Sequence, residues 1–334
     1  MGELTRQSLY FTAPRQIEIR ENNCSVLLNG QVRVKTTLSA ISPGTELLIY
    51  RGEAPEEMEA DATLSALRGG LAFPLKYGYS AIGQIVDLGP NVDIGWLGKR
   101  VFAFNPHETE FIADIASLQI VKDNISSEDA IFLPNMETAV NFVLDGHPRI
   151  GDNIIVLGQG VVGLLTTTLL AKMSPHSLIT IDRITQRRTI SLQMGAHASF
   201  DSLDDRLKSY LAFADLTYEL TGTPAALNTA IGLTGFSGRV MIGSWYGKKR
   251  AEIDLGGRFH RSRIQLISSQ VSSFSPELSG RWTKQRRLDL AWHMIEKIKP
   301  AQLISHRFTF AQAAQAYHLL DQQPQHSLQI LLIY

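Results

Sequence analysis

The chain has 334 residues, 32 of them basic and 32 acidic, so its formal net charge is zero; at ~150 residues per domain that length divides into about two domains. Apolar residues make up 44% and charged residues 19%, a balance that excludes a disordered chain and favours a large buried core. Neutrality removes the electrostatic footprint of a general nucleic-acid binder or polybasic membrane adhesin, and the single cysteine, Cys24, excludes an intramolecular disulfide and any thiolate cluster for structural zinc or iron–sulfur.

In chain order, Met1-Gly2-Glu3-Leu4-Thr5-Arg6 lacks the basic-then-apolar plan of a signal peptide, and no apolar run reaches the ~18 residues needed to cross a bilayer. The expectation is a cytoplasmic protein with no membrane partner. Short β-like runs follow at Val32–Thr36, Ile82–Leu88 and Arg100–Phe104, punctuated by the turn formers Asn29-Gly30, Ser42-Pro43-Gly44, Gly69-Gly70 and Gly89-Pro90-Asn91. From about Ala130 to Gln270 the rhythm becomes strand–helix–strand. Near-continuous apolar runs at Asn153–Leu157, Leu178–Ile181 and Arg239–Ile242 read as strands covered on both faces, with helices at Val161–Met173, Thr185–Met194 and Pro224–Leu233. Two more helices, Arg287–Ile298 and Phe310–Leu320, and a strand, Leu328–Ile333, close the chain.

Directly after the first buried strand stands Gly158-Gln159-Gly160-Val161-Val162-Gly163, opening a helix. The first glycine allows a tight turn, the second lets backbone approach a pyrophosphate, and the third lets helix and strand pack closely. The helix start adds unpaired N–H groups and a positive dipole end. Asp182, 19 residues after Gly163, closes the second strand where an acid would bind the adenosine ribose; the other reading is a cap for the helix from Thr185. A carboxylate there favours NAD. NADP is the alternative, because Arg183, Arg187 or Arg188 could pair with a 2′-phosphate. Thr221, and Gly243 with Ser244 just past the Arg239–Ile242 run, complete the cofactor candidates.

Three further segments, Ser39–Gly52, Tyr77–Gly83 with Val86–Gly89, and Leu133–Ala139, give nearly the whole chain a resemblance to the medium-chain dehydrogenase/reductase superfamily. The resemblance implies an α/β fold in which a doubly wound Rossmann sheet (129–270) is inserted into a β-rich GroES-like catalytic domain (1–128 and 271–334), with an active site in the cleft between them and a homodimer. Zinc members have a cysteine, a Gly-His-Glu and a cysteine or glutamate in those three segments. Here they read Ser42-Pro43, Gly78-Tyr79-Ser80 and Pro134-Asn135, and none of the nine histidines has a spacing that repairs the set, so no metal is expected. The wording of Ile41–Glu46 and Gly78–Gly83 is similar to a zinc-free branch that includes the 3-hydroxyethyl bacteriochlorophyllide dehydrogenases.

Without a Lewis acid, a hydrogen-bond donor must stabilise the developing oxyanion. Tyr79, standing where a ligand histidine would be, and Thr45, matching a proton-relay hydroxyl, are the candidates; Glu46 and Glu137 are candidate relay acids, with a structural ion pair as the alternative for Glu46. The cations of Gly256–Arg263 (Arg258, His260, Arg261, Arg263) and Arg281, Arg286 and Arg287 read either as a solvated surface or as a hold on an anionic substrate. The expected function is zinc-independent, NAD(P)-dependent interconversion of a small-molecule alcohol with a ketone or aldehyde. The alternatives are an NADPH-dependent quinone or enone reductase and a non-catalytic dinucleotide-binding protein.

Overall fold

A computed structural model describes residues 5–61, 64–202 and 213–334; the reading of a missing leader at residues 1–4 lies outside them. Two compact units form, one of Met1–Pro134 with Trp292–Tyr334 and one of Asn135–Ala291. Residues 271–291, grouped from sequence with the catalytic domain, fall in the second unit.

In the first unit, β1 (Thr5–Ala13) turns back on β2 (Gln16–Asn23) as an antiparallel pair that the sequence reading did not name. The other strands are β3 (Gln31–Ile41), β4 (Ala81–Leu88), β5 (Arg100–Ala103), β6 (Glu110–Asp114), β7 (Gln119–Ile120), β14 (Ile304–Thr309) and β15 (Gln329–Ile333). They make one sheet in the order β14-β15-β3-β4-β5-β7, and β6 also pairs with β3. Alternation in β3 sends Val32 and Val34 inward, where they pack with Ala81, Ile85, Val101, Ala103, Phe111 and Leu118. A six-residue helix, α1 (Thr45–Tyr50), follows β3 and is buried from Glu46 onward, and a short helix, α2 (Ser127–Ala130), follows β7.

The second unit is a six-stranded parallel sheet of β8 (Asn153–Leu157), β9 (Ser177–Ile181), β10 (Ala198–Phe200), β11 (Ala214–Glu219), β12 (Thr234–Ile242) and β13 (Gln265–Ser268). Its order is β10-β9-β8-β11-β12-β13, the doubly wound arrangement of dinucleotide-binding sheets. Both faces are covered, as the apolar runs require. Ile154 and Val156 face Phe142 and Leu170, from α3 (Leu133–Gly146) and α4 (Val161–Ala171). Ile155 and Leu157 pack with Leu227, Ala230 and Ile231 of the later helix Ala226–Leu233. Among the described residues no helix is long and apolar enough to cross a membrane. The segment expected as one helix from Phe310 begins instead as a 3₁₀ turn, Phe310–Gln312, closed by a Thr309/Gln312 capping box, and continues as Ala313–Gln322.

Candidate functional site

Parallel strands end on the same side of their sheet, so the fingerprint after β8, Asp182 after β9, Thr221 just beyond β11, and Gly243 with Ser244 after β12 all gather at one carboxyl edge. The glycine turn is set by close approach. A Cβ on Gly163 would stand 2.1 Å from the Gly158 carbonyl oxygen, and Gly158, at φ 89°, would place one 2.6 Å from the Leu220 carbonyl oxygen. At Gly160, by contrast, no atom lies within 4 Å of the Cβ position. Gly160 caps α4 without a side-chain hydrogen bond, so the first turn, Val161 to Gly163, keeps N–H groups available for an anion. The turn therefore fits a pyrophosphate.

Gln159 is fully buried and serves the turn from inside: its side chain donates to the Gly158 carbonyl at 3.0 Å and accepts from the Thr167 hydroxyl at 3.1 Å. Its backbone N–H donates to Asp182 Oδ2 at 2.7 Å, while Asp182 Oδ1 accepts from the Ile184 N–H at 2.8 Å. Asp182 makes no side-chain cap on the helix Thr185–Gln193. Among the nearby arginines, Arg188 is spent on the carbonyls of Asp182 and Arg183 and on the Thr185 hydroxyl. Arg183 is exposed. Burial pushes the Arg187 pKa down, against the opposing pull of the Asp182 charge.

Thr221, Gly243 and Ser244 surround a residue that sequence reasoning missed. Glu219, fully buried at the end of β11, accepts from the Thr221 N–H at 2.8 Å, from the Thr221 hydroxyl and from the Tyr246 hydroxyl. Burial, with the Glu219 charge beside it, pushes the Tyr246 pKa upward. Ser244 Oγ accepts from the Gly222 N–H at 2.8 Å. The signal available was the acid ending the Ala214–Glu219 run, but Ala-Asp-Leu-Thr-Tyr-Glu alternates apolar and polar residues, the pattern of a strand with one solvated face, and so does not announce a buried acid.

In the first unit, three hydroxyls meet. Tyr79 donates to Ser42 Oγ at 2.6 Å and lies 3.4 Å from Thr45 Oγ1. Burial raises the Tyr79 pKa; hydrogen bonds to Ser42 and Thr45 oppose the rise and the Glu46 charge adds to it. Glu46 itself is fully buried, holding the Ser42 N–H at 2.8 Å and facing His107 at 3.0 Å. Glu137 lies in the second unit, where Arg287 Nε and Nη2 donate to its Oε1 at 3.1 and 2.9 Å. Arg258 donates to the Thr234 carbonyl and Arg286 to the Arg281 carbonyl, leaving Arg261 and Arg263 as the exposed arginines of the Gly256–Arg263 stretch.

Zinc does not fit Ser42, Thr45 and Tyr79, since catalytic zinc takes thiolate, imidazole or carboxylate ligands. Among the described residues no group of three histidine, cysteine, aspartate or glutamate side chains is placed to hold a metal.

A doubly wound parallel sheet with a glycine-rich turn and an acid at adjacent carboxyl ends, joined to a separate β unit carrying a hydroxyl cluster, defines a dinucleotide-binding oxidoreductase fold. No family model matches the chain. It is 23% identical to D-guloside 3-dehydrogenase of Escherichia coli (strain K12), over 97% of this chain and 99% of that protein. It is 22% identical to the 2-desacetyl-2-hydroxyethyl bacteriochlorophyllide A dehydrogenase of Cereibacter sphaeroides, over 93% and 92%. The crystal structure of the alcohol dehydrogenase RspB from E. coli CFT073 with NADH covers all of both chains at a TM-score of 0.79 and 19% identity. These relatives and structural neighbours are dehydrogenases of the medium-chain dehydrogenase/reductase superfamily, whose fold this chain shares.

Proposed function

We propose that this protein is a zinc-independent oxidoreductase that uses NAD to interconvert a secondary alcohol and a ketone on a small polyhydroxylated molecule. The observation that carries the reading is the hydroxyl trio of Ser42, Thr45 and Tyr79. When bound, the nicotinamide supplies the hydride acceptor or donor. The chain's own work is to hold the dinucleotide and to move one proton.

The N–H groups opening α4 would hold the pyrophosphate and Asp182 the adenosine ribose, with Arg183 and Arg187 flanking it. Burial keeps the Tyr79 phenol protonated at neutral pH, so Tyr79 acts as a donor to the substrate oxygen and not as a phenolate base. Because Tyr79 donates its hydrogen bond to Ser42 in the resting chain, the Ser42 hydroxyl hydrogen is free to point elsewhere, and Thr45 offers a second exit for the proton. The polyol class is supported by relatives named for D-guloside, galactitol 1-phosphate and butanediol. A cytoplasmic homodimer belongs to the same reading; it would sediment at twice the 37.0 kDa chain mass.

The test is a fluorescence titration with NADH and NADPH, followed by nicotinamide absorbance against a panel of hexitols, methyl glycosides, 2,3-butanediol and enones, on protein whose metal content is measured. Tighter NADH binding, polyol turnover and well under one zinc per chain are expected. Tighter NADPH binding with enone turnover would assign the quinone-reductase alternative, which the exposed Arg183 favours. Binding without any turnover would mark a non-catalytic dinucleotide protein, and stoichiometric zinc would refute the metal-free reading.

A further inference from the structure

An imidazole that the chemistry above leaves unused lies fully buried in the first unit. His107, between β5 and β6, has Nε2 3.0 Å from Glu46 Oε2 and Nδ1 2.7 Å from Ser39 Oγ, which in turn is 2.9 Å from the Tyr334 hydroxyl. The Tyr317 hydroxyl donates to the same Glu46 oxygen. The other oxygen accepts the Ser42 N–H, and the Glu46 N–H returns a bond to the Ser42 carbonyl at 3.1 Å, closing the Ser42–Glu46 turn. The donor and acceptor inventory closes when His107 carries its proton on Nε2, donates to Glu46 and accepts from Ser39; the tautomer is assigned from that network.

The same ring also bears on the other side of the trio. A Cβ on Gly78 would lie 2.8 Å from both Cδ2 and Nε2 of His107, so the ring rests directly against the backbone that carries Tyr79. Through Glu46 it holds Ser42; through Gly78 it holds Tyr79. The 2.6 Å bond between those two hydroxyls is spanned by one imidazole. The geometry points to His107 as a positioning residue, with Glu46 as its arm, that sets the separation and aim of the Ser42 and Tyr79 hydroxyls. This rests on the trio being the proton-handling group. A relay through Glu46 does not follow from these contacts, because its link to Ser42 is a backbone amide, which orients but does not pass a proton along.

The test compares His107→Leu with His107→Gln, whose amide can both donate to Glu46 and accept from Ser39. Hydrogen exchange at the Ser42 amide, NADH titration and, on the best substrate of the panel, kcat and KM are read for each. In the leucine variant the Ser42 amide should exchange at least about tenfold faster and kcat should fall about 10–100-fold, the scale of a misplaced reacting group, with NADH binding unchanged and KM within about threefold. Glutamine should recover most of both. Unaltered exchange in the leucine variant, a glutamine variant as impaired as leucine, or an effect confined to KM would overturn the inference. If the leucine variant does not fold, Tyr317→Phe, which removes one donor from Glu46 and keeps the ring, should shift exchange and kcat the same way; no change would count against the inference. A parent that binds no NADH or turns over nothing refutes the functional reading instead, and the exchange comparison still decides the hold of His107 on the turn.

Discussion

Arg287→Met should cost the second unit about 3–5 kcal/mol, the penalty for removing one partner of a buried ion pair. The Arg287 guanidinium is only 1% exposed and the Glu137 side chain 4%. Besides Glu137, Arg287 donates to Asn141 Oδ1 at 2.6 Å and to the Val271 carbonyl, and it stacks 4.3 Å over the Phe274 ring. Methionine fills much of the same volume, so the loss is electrostatic and not a cavity. Urea unfolding followed by tryptophan fluorescence, at constant m, measures it. The decisive comparison is Arg287→Met with Glu137→Leu added, which removes the stranded carboxylate and should restore at least about 2 kcal/mol, because apolar replacement of a whole buried pair is often neutral or stabilising. A single variant within about 1 kcal/mol of the parent, or a double variant no better than the single, would refute the reasoning. It would also return Glu137 to the list of groups free to serve as a relay acid.

Tyr79→Phe should lower turnover about 10²–10³-fold, the usual effect of losing one preorganised oxyanion donor, with NADH binding unchanged; a rate within a few-fold of the parent would pass the role to Ser42 or Thr45. Gly163→Ala puts a methyl group 2.1 Å from the Gly158 carbonyl oxygen, so the turn must shift. NADH affinity should drop at least about tenfold and stability by about 1–3 kcal/mol, and parental values in both assays would show that the turn has slack. Partial burial raises the Asp321 pKa, but hydrogen bonds from Arg51 and Arg15 win and hold it below the usual carboxylate range. Its folded pKa therefore lies under the unfolded value of about 3.9, and its contribution is full above that value and lost as pH falls through the folded one. The stability gap between parent and Asp321→Asn should narrow as pH drops from about 6 to about 3; a constant gap would show that the pairing is not felt.

Local rules made the second unit readable. Gly163 is demanded by the Gly158 carbonyl in its own turn and Gly158 by its positive φ as well as by Leu220 beyond the neighbouring strand β11, and runs such as Asn153–Leu157 announce burial on both faces. The first unit was read less fully, because its partnerships are distant. β3 and β15 pair across nearly the whole chain, and Glu46 meets His107 and Tyr317 from 61 and 271 residues away. A histidine in Asn105-Pro106-His107 carries no local sign of that role. The hairpin of β1 and β2 was missed for a different reason: the β2 stretch Gln16–Asn23 alternates only as far as Ile19, then turns wholly polar, and is largely exposed, so the mark of a half-buried strand is cut short. Tyr79 and Thr45 were found by position and lie 3.4 Å apart, but Ser42, noticed only as a missing ligand, is the hydroxyl that takes the shorter bond from Tyr79.

The placement of β15 between β14 and β3 bears on how the chain is made. Synthesis delivers β3 early, yet the strand that pairs with its Leu38–Ile41 half comes only after the whole of the second unit. Residues 135–291 are contiguous and can fold as they leave the ribosome, whereas the unit around β3 must wait with an uncovered apolar strand, the kind of surface that invites pairing with other chains. Loss of β15 would leave that exposure permanent, so chains cut before Gln329 should aggregate far more readily than chains that carry the strand.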